Sequence, residues 1–248
     1  MAATTPWGFA TVERRSTTDQ VLQELRAAIL AGRLKPTEQL PEATLARAFG
    51  TGRSAIREAL RQLVQEGLVV SELNRGARVV PLAADDMIDV YRARTAIEVA
   101  AVDVVLERPQ APDLTALLAA QEAIRRAGGG EVSGPPSREL VAADMDFHRA
   151  MVALAGSARL SRAHEPLVAE SQMLLNWHPV YSRSDYVTDH QVLVDAIERR
   201  DPTAGDAVRA HLTLTIRLLA EEATRYADRL ASAQPIVDNH RHNEGRLG

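Results

Sequence analysis

The stretch from Gly52 to Glu66 constrains the fold most, because its residues form two different faces at helical spacing. The apolar face carries Ile56, Leu60, Leu63 and Val64. The second face carries three arginines four residues apart, Arg53, Arg57 and Arg61. An arginine fork can grip two phosphate oxygens or a guanine edge at once. The stretch is therefore predicted to be a helix that lies along DNA, with an ordinary solvated helix as the alternative that the helix alone leaves open.

The residues around this stretch favour the DNA-binding interpretation. A first helix is predicted from the capping segment Thr17–Asp19 to Gly32, and a short second helix from Ala43 to Phe49. The turn Gly50–Gly52 then leads into the arginine helix, which is the helix-turn-helix pattern. Two short β-rich runs follow at 68–70 and 77–80. They flank Asn74–Gly76, a turn that favours a hairpin, and Arg75 at its tip is placed to enter a minor groove.

These segments resemble the winged-helix domain of GntR-type transcriptional regulators over about seventy residues. The matching segments are 45–47, 52–60, Leu63, 66–69 and 74–76. The resemblance implies that Arg53 and Arg57 contact operator DNA and that Gly76 shapes the tip of the wing. The predicted DNA-binding residues are Arg47, Arg53, Ser54, Arg57, Arg75 and Gly76. The chain departs from the family at Ala55, where proline is frequent, and at Gly52, where serine or threonine is frequent, so Thr51 becomes the candidate helix cap.

Composition and charge set further bounds. Residues 11–80 hold eleven basic and eight acidic residues, whereas the remainder holds 18 against 25, so the two parts are expected to have different partners. The chain has no cysteine, which excludes a disulfide framework and a thiolate metal site. Its N-terminus lacks the pattern of a signal peptide, and no apolar run is long enough to span a membrane. We therefore expect a cytoplasmic protein.

After Pro81 the sequence predicts a second, all-α domain. Its helices are predicted at 83–107, 112–127, 137–155, 157–176, 184–200 and 203–232, separated by glycine and proline. The predicted fold is thus mainly α, with a winged helix-turn-helix domain at 1–81, a helical bundle at 82–232 and a disordered tail at 233–248.

Four residues of this second domain are candidates for a metal site. Asp144 and His148 lie one turn apart on the same face of one predicted helix, while His190 and His211 accompany apolar residues on two others. A single inward histidine is more often a hydrogen-bonded core residue than a ligand. Four such groups on three helices favour a divalent cation such as Zn²⁺, Mn²⁺ or Ni²⁺. The remaining histidines, His164, His178, His240 and His242, are interpreted as structural or surface residues.

The second domain also resembles the FCD effector domain, the helical half of the FadR branch of GntR regulators, from about residue 84 to 225. The resemblance implies metal ligands at Asp144, His148, His190 and His211. It also implies that Arg94 faces an effector cavity, where its fork would hold a carboxylate. An ordinary helical ion pair between Arg94 and Glu98 is the compatible alternative.

Together these features predict a regulator and not an enzyme. A homodimer is expected to bind operator DNA through its winged helices and a small organic acid through its helical domain, acting by default as a repressor. One alternative is a purely metal-responsive regulator. The other is a mononuclear metal hydrolase, because an aspartate and three histidines can leave a coordination position for an activated water.

Overall fold

The computed structural model describes residues 16–72, 75–81, 84–128, 136–177 and 183–233. In chain order the elements are α1 (Thr17–Leu30), α2 (Glu42–Ala48), α3 (Arg53–Gln65), β1 (Val69–Glu72), β2 (Gly76–Val79), α4 (Ala84–Glu107), α5 (Thr115–Gly128), α6 (Arg138–Ala153), α7 (Ala158–Trp177), α8 (Arg183–Glu198) and α9 (Ala204–Ala233). Each helix predicted for the second domain begins and ends within three residues of an observed one. The prediction of a mainly α protein with a small N-terminal winged helix is confirmed.

Helix α1 is fixed at both ends by local hydrogen bonds. Ser16 is the N-cap: its hydroxyl accepts from the Asp19 amide at 3.1 Å, and the Asp19 carboxylate accepts from the Ser16 amide at 3.0 Å. The helix therefore starts from Ser16, just before the predicted capping segment. At the other end Gly32 adopts a φ of 65°, which a side chain would disfavour, and its amide donates to the Ile29 carbonyl.

Helix α3 buries one face against α1 and leaves the arginine face in solvent. Its buried residues are Ile56, Ala59, Leu60 and Leu63, whereas Val64 is 39% exposed at the edge of the stripe. The N-cap is Gly52, and this position provides no side-chain hydrogen bond to the helix. The expectation that Thr51 supplies the cap is therefore wrong, because the chain enters the helix at Gly52. The first amide groups of α3 lie at an exposed helix start, which carries partial positive charge.

Strands β1 and β2 form the wing after α3. They pair antiparallel with Val69 opposite Val79 and Glu72 opposite Gly76. The segment before α2 lies along the other edge of β2, where the Leu40 amide donates to the Ala77 carbonyl at 2.8 Å. The wing is therefore held to the body of the winged helix on one side and leaves its tip in solvent.

The second unit is a bundle in which α4 packs against α9, α7 and α6, and α5 packs against α6 and α8. Its core contains Phe147, Met151, Leu174, Leu193 and Val208 among other apolar residues. A set of polar residues is buried in the same bundle: Arg94, Glu98, Gln121, Asp144, His148, His164, His190 and Thr215. Buried polar groups need hydrogen-bond or ionic partners, so this set marks the part of the bundle where a binding site is to be sought.

The two units share a packed interface. Ala169 and Met173 of α7 belong to the hydrophobic core that α1, α3 and the wing form. The predicted domain boundary at residue 81 adjoins residues 82–83, which lie outside the described residues. The predicted tail likewise lies outside them, apart from residue 233, which ends α9. Within the described part of the chain, no helix is both long and apolar enough to cross a membrane.

Candidate DNA-binding surface and metal centre

All six residues predicted to bind DNA are exposed to solvent. Arg57, Arg75 and Gly76 line one groove between α3 and the wing, and Arg53 and Ser54 occupy the exposed first turn of α3. Arg47 is exposed in the last turn of α2. The structure thus places α3 and the tip of the wing on either side of a groove that carries arginine at both edges.

Two of these arginines are held by acidic neighbours. Arg57 makes a two-pronged pair with Glu42, with Nε to Oε1 at 3.0 Å and Nη2 to Oε2 at 2.8 Å. Its side chain is still 54% exposed, and the hydrogen bond from Arg57 lowers the pKa of Glu42. At the wing, Arg75 reaches Glu72 at 3.2 Å with its side chain 79% exposed. Exposed pairs of this kind are weak, so either arginine can exchange its carboxylate for a phosphate.

The wing tip needs glycine for backbone reasons. Gly76 has a φ of 76°, and an added Cβ would meet no atom within 4 Å. A side chain would therefore be disfavoured by the left-handed backbone and not by a clash. Asn74, the first residue of the predicted turn, lies outside the described residues.

The three predicted histidine ligands form one cluster in the bundle, and Asp144 lies against two of them. Asp144 and His148 come from α6, His190 from α8 and His211 from α9. The three imidazoles each offer a nitrogen within 4.8 Å of the others, and the ring centroids of His190 and His211 are 4.9 Å apart. Asp144 Oδ1 lies 2.8 Å from His190 Nε2 and 3.8 Å from His148 Nε2. Residues that are far apart in sequence are thus gathered around one point.

The pKa shifts of Asp144, His148 and His211 are in the directions that suit metal binding. Burial lowers the pKa of His148, and burial together with His190 and His148 lowers the pKa of His211 well below its usual value. Burial opposes the charge of Asp144, but His190 lowers its pKa below the usual range. Neutral imidazoles and an ionised carboxylate are the forms that ligate a cation.

The donor set fits a divalent ion of intermediate softness. Three ring nitrogens and one carboxylate oxygen suit Zn²⁺, Mn²⁺ or Ni²⁺. His211 is only partly buried as a residue, but its Nδ1 atom is buried and has no hydrogen-bond partner among the described residues. A buried nitrogen without a partner is costly, and a bound cation would remove that cost.

Arg94 lies directly behind this cluster and is fully buried. Its Nε donates to Glu98 Oε1 at 2.8 Å, which is the helical ion pair that the sequence offered as an alternative. Its guanidinium carbon lies 4.9 Å from the ring centre of Tyr91. The Nη2 atom is buried without an acceptor in the described part of the chain. The same side chain therefore makes the ion pair and keeps a donor that an anionic ligand can use.

Glu98 and His164 are site residues whose importance the sequence does not show. Glu98 is fully buried and accepts from Arg94, from His148 Nδ1 at 2.7 Å and from His164 Nε2 at 2.9 Å. Burial opposes its charge, but Arg94 and His148 hold the pKa of Glu98 well below the usual value. His164 was interpreted as a structural or surface residue, and its side chain is buried against Glu98. In the sequence, the four-residue spacing between His164 and the apolar Val168 places both on one helix face, and Val168 is buried. This spacing indicates that His164 is buried, but it does not indicate that Glu98 is its hydrogen-bond partner.

Helices α6 and α7 connect this cluster to the winged helix. Arg138, the first residue of α6, donates to the Ala31 carbonyl just after α1. Asn176 near the end of α7 donates to the Leu30 carbonyl at 3.0 Å. The last turn of α1 contains no basic residue of its own, so these two side chains satisfy carbonyls that the helix leaves open. Helix α6 therefore carries both Asp144 and a clamp on the DNA-binding unit.

A cavity of about 610 Å³ lies between the wing and helices α4 and α7. Glu170 of α7 lines it and approaches Gly67, where an added Cβ would come within 2.2 Å of the carboxylate. Burial and the nearby Asp86 raise the pKa of Glu170 to about 7. The contact at Gly67 thus brings a half-buried carboxylate against the C-terminal end of α3.

An exposed basic winged helix joined to a helical bundle with a buried polar site is the architecture of a DNA-binding transcriptional regulator. Two family models match the chain: bacterial regulatory proteins of the gntR family at residues 17–79, and the FCD domain at residues 89–214. The chain therefore belongs to the GntR family of bacterial transcriptional regulators that carry an FCD domain.

Relatives and solved structures agree with this assignment. The chain is 29% identical to a probable D-xylose utilization operon transcriptional repressor of Paenarthrobacter nicotinovorans, covering 80% of this chain and 86% of the relative. It is 28% identical to the HTH-type transcriptional repressor GlaR of Escherichia coli, covering 79% and 93%. The crystal structure of a GntR regulator from Rhodococcus sp. RHA1 superposes with a TM-score of 0.68 at 25% identity, covering 84% of this chain and 99% of that one. These proteins are regulators and not enzymes, so the metal-hydrolase alternative is set aside.

Proposed function

We propose that the protein is a ligand-responsive repressor of the cytoplasm that binds a palindromic operator as a homodimer. In this proposal Asp144, His148, His190 and His211 hold one divalent metal ion, and a small organic acid binds beside it with Arg94. The DNA-binding residues would be Arg47, Arg53, Ser54, Arg57, Arg75 and Gly76. The named repressors among its relatives support the direction of control.

The observation that carries the ligand site is a pair of buried nitrogen atoms that lack partners. Within the described residues, His211 Nδ1 has no hydrogen-bond partner and Arg94 Nη2 has no acceptor. A cation would satisfy the first and a carboxylate the second. A bound divalent ion would also supply a Lewis acid to which a carboxylate oxygen can bind.

Control of DNA binding follows from linkage between the two units. An effector that binds more tightly to the arrangement with lower operator affinity must weaken operator binding by the same factor. The carbonyl contacts of Arg138 and Asn176 tie the end of α1 to the helices α6 and α7. A shift of α6 on ligand binding would therefore act on the winged helix directly.

The metal is tested by elemental analysis of carefully purified, undialysed protein. We expect about one divalent ion per chain, and His148→Ala or His211→Ala should reduce both the bound metal and the gain in melting temperature on metal addition. A ligand that binds only the folded state stabilises it by about 2.7 kcal/mol at a hundred times its Kd. Binding should weaken as the pH falls below about 6.5, because histidine must be neutral to ligate and burial lowers the pKa of His148 and His211.

Leu193→Ala is the matched control for these variants. Leu193 is buried in the bundle on the same helix as His190, so its truncation should destabilise the fold by about 2–5 kcal/mol through a cavity. Metal stoichiometry should stay near one in this variant. Metal-free wild-type protein whose melting temperature does not respond to Zn²⁺, Mn²⁺ or Ni²⁺ would contradict the proposed site.

The purely metal-responsive alternative is separated by screening di- and tricarboxylic acids at constant metal. The proposal predicts that one of them shifts the melting temperature and lowers operator affinity. Arg94→Lys should abolish that response, because lysine keeps the charge but loses the planar fork. Operator affinity that changes with metal but with no organic acid would favour the alternative.

The homodimer follows from the two-fold symmetry expected of a palindromic site, since one winged helix reads only a few base pairs. Light scattering at micromolar concentration should give the mass of two chains. A monomer that retains operator affinity would contradict this part of the proposal.

A further inference from the structure

The buried carboxylate of Glu98 joins the two halves of the ligand site. Its Oε2 atom lies 2.7 Å from His148 Nδ1, and its Oε1 atom accepts from Arg94 Nε at 2.8 Å and from His164 Nε2 at 2.9 Å. All four side chains are at most 2% exposed. No other described carboxylate is hydrogen-bonded to His148 Nδ1, so this contact alone fixes that edge of the ring.

The hydrogen-bond roles follow from the chemistry of the groups. An ionised carboxylate can only accept, so both imidazoles must donate to it. His148 therefore carries its proton on Nδ1 and leaves the Nε2 lone pair free. That Nε2 atom is the one that faces Asp144, at 3.8 Å from Oδ1. The ring thus presents an unprotonated nitrogen on the side where His190 and His211 meet.

Resting on the metal site put forward above, we propose that Glu98 is a positioning residue that fixes the tautomer of His148 for metal binding and, through its other oxygen, orients Arg94 for the effector. A carboxylate behind a metal-bound histidine holds the ring and raises its basicity. Here the same carboxylate also takes the Nε donor of Arg94. The Nη2 donor is left without an acceptor among the described residues and is available to a ligand.

Glu98→Gln tests the tautomer because it keeps the shape and changes one atom from acceptor to donor. If the amide oxygen stays with Arg94 and His164, the amide nitrogen faces His148 Nδ1. Because the amide nitrogen donates, His148 Nδ1 must then accept. The ring proton therefore moves to Nε2, where it blocks the nitrogen that would bind the metal. We expect the metal affinity of this variant to fall by about 10- to 100-fold.

The matched control is His164→Gln. It removes a partner from the Oε1 side of Glu98 and leaves the contact between Oε2 and His148 in place. Both variants change one member of the same buried cluster, so general damage to the core would affect both. If Glu98 positions His148, then His164→Gln should retain the wild-type tautomer of His148 and lose much less metal affinity than Glu98→Gln.

Two readouts are needed, on full-length protein. Nitrogen-15 spectra of the histidine rings in metal-free protein report which nitrogen carries the proton, with His148 assigned by its loss in His148→Gln. Competition against a chelator with Zn²⁺ gives the affinity. Wild type should show Nδ1–H at His148 and Glu98→Gln should show Nε2–H with weaker Zn²⁺ binding.

Each possible result decides the proposal. Unchanged tautomer and unchanged Zn²⁺ affinity in Glu98→Gln would overturn it, as would Nε2–H at His148 in the wild type, a result that stands even if the variant fails to fold. If wild-type protein binds no metal, the metal part of the proposed function fails, while the ring spectra of the metal-free proteins still decide whether Glu98 sets the tautomer.

Discussion

The arginines of the recognition surface and the arginine of the bundle use the same chemistry under opposite conditions. Arg57 pairs with Glu42 at 2.8 Å with its side chain 54% exposed, whereas Arg94 pairs with Glu98 at the same distance with no exposure. Water and salt weaken the first pair, but they do not reach the second. The exposed pair is therefore exchangeable for a phosphate, and the buried pair is a fixed part of the fold.

In the proposed function, this difference lets one residue type serve two binding sites. A DNA-binding arginine must give up its internal partner easily, because the phosphates compete at a solvated surface. An effector-binding arginine must stay in place, because leaving it or its partner alone in the bundle is costly. Arg94 meets this requirement by holding Glu98 with Nε and keeping Nη2 for a ligand.

The largest expected effect comes from removing one side of the buried pair. Arg94→Met leaves the carboxylate of Glu98 without its permanent cation, and breaking a buried pair in this way typically costs about 3–5 kcal/mol. Urea unfolding of metal-free protein measures the loss. The double variant Arg94→Met, Glu98→Leu should recover part of it, because no charge is then left unpaired. Equal stability of Arg94→Met and wild type would show that the pair is not the fixed element described here.

The second effect is on DNA and should leave stability almost unchanged. Arg53→Ala or Arg57→Ala should lower operator affinity by about 1–3 kcal/mol if the arginine reads a base edge, with urea midpoints near that of wild type. If the arginine grips only phosphate, all DNA sequences should weaken alike. Operator affinity that is unchanged in both variants would refute the assignment of α3 as the recognition helix.

How far the sequence predicts this molecule depends on the range of the interactions. The helices and the wing follow from spacing and turn residues, which are local, and so does the exposed arginine face of α3. The convergence of Asp144, His148, His190 and His211 was predicted from a family resemblance as well as from spacing. The structure places these residues close together, and their role as metal ligands remains a prediction.

The parts that the sequence does not predict depend on contacts between distant residues. Glu98 was visible only as the i, i+4 partner of Arg94, because its contacts with His148 and His164 join residues 50 and 66 positions apart. The clamp of Arg138 on α1 spans 107 positions. The helix cap at Thr51 was expected because Gly52 stands where the family often has serine or threonine, and the chain instead enters α3 at Gly52 without a side-chain cap.

Glu170 is a half-buried carboxylate at the contact of the two units, so its exposure lies between that of the surface pair Arg57–Glu42 and that of the buried pair Arg94–Glu98. Its pKa of about 7 is raised above its ordinary value of 4.5, so its contribution to stability is present below about pH 4.5 and is lost as the pH rises through 7. Glu170→Gln should remove this loss, worth about 1 kcal/mol after solvent screening. Thermal unfolding at pH 5 and pH 8 measures it.

Glu165→Gln, at an exposed position of the same helix, is the control for this measurement. The stability difference between pH 5 and pH 8 should match wild type in this control and shrink in Glu170→Gln. An identical pH dependence in all three proteins would contradict the raised pKa of Glu170.

The smallest effect should come from breaking the exposed ion pair between Arg57 and Glu42. Glu42→Gln removes the partner of Arg57 at the protein surface, and surface pairs contribute about 0–1 kcal/mol to stability. Operator affinity should stay the same or increase, because Arg57 no longer has to leave a carboxylate. A loss of operator affinity in this variant would show instead that Glu42 holds Arg57 in the orientation that DNA needs.

The most direct test of the account is the salt dependence of operator binding by wild type and by Arg57→Ala. A palindromic duplex recovered by selection from a random pool would be titrated by fluorescence anisotropy at several salt concentrations. Wild-type affinity should fall steeply with salt, and the slope should be smaller by about one for each phosphate contact that the variant loses. Selection that recovers no preferred duplex, or affinities and slopes that are identical in the two proteins, would contradict the claim that this exposed surface binds DNA.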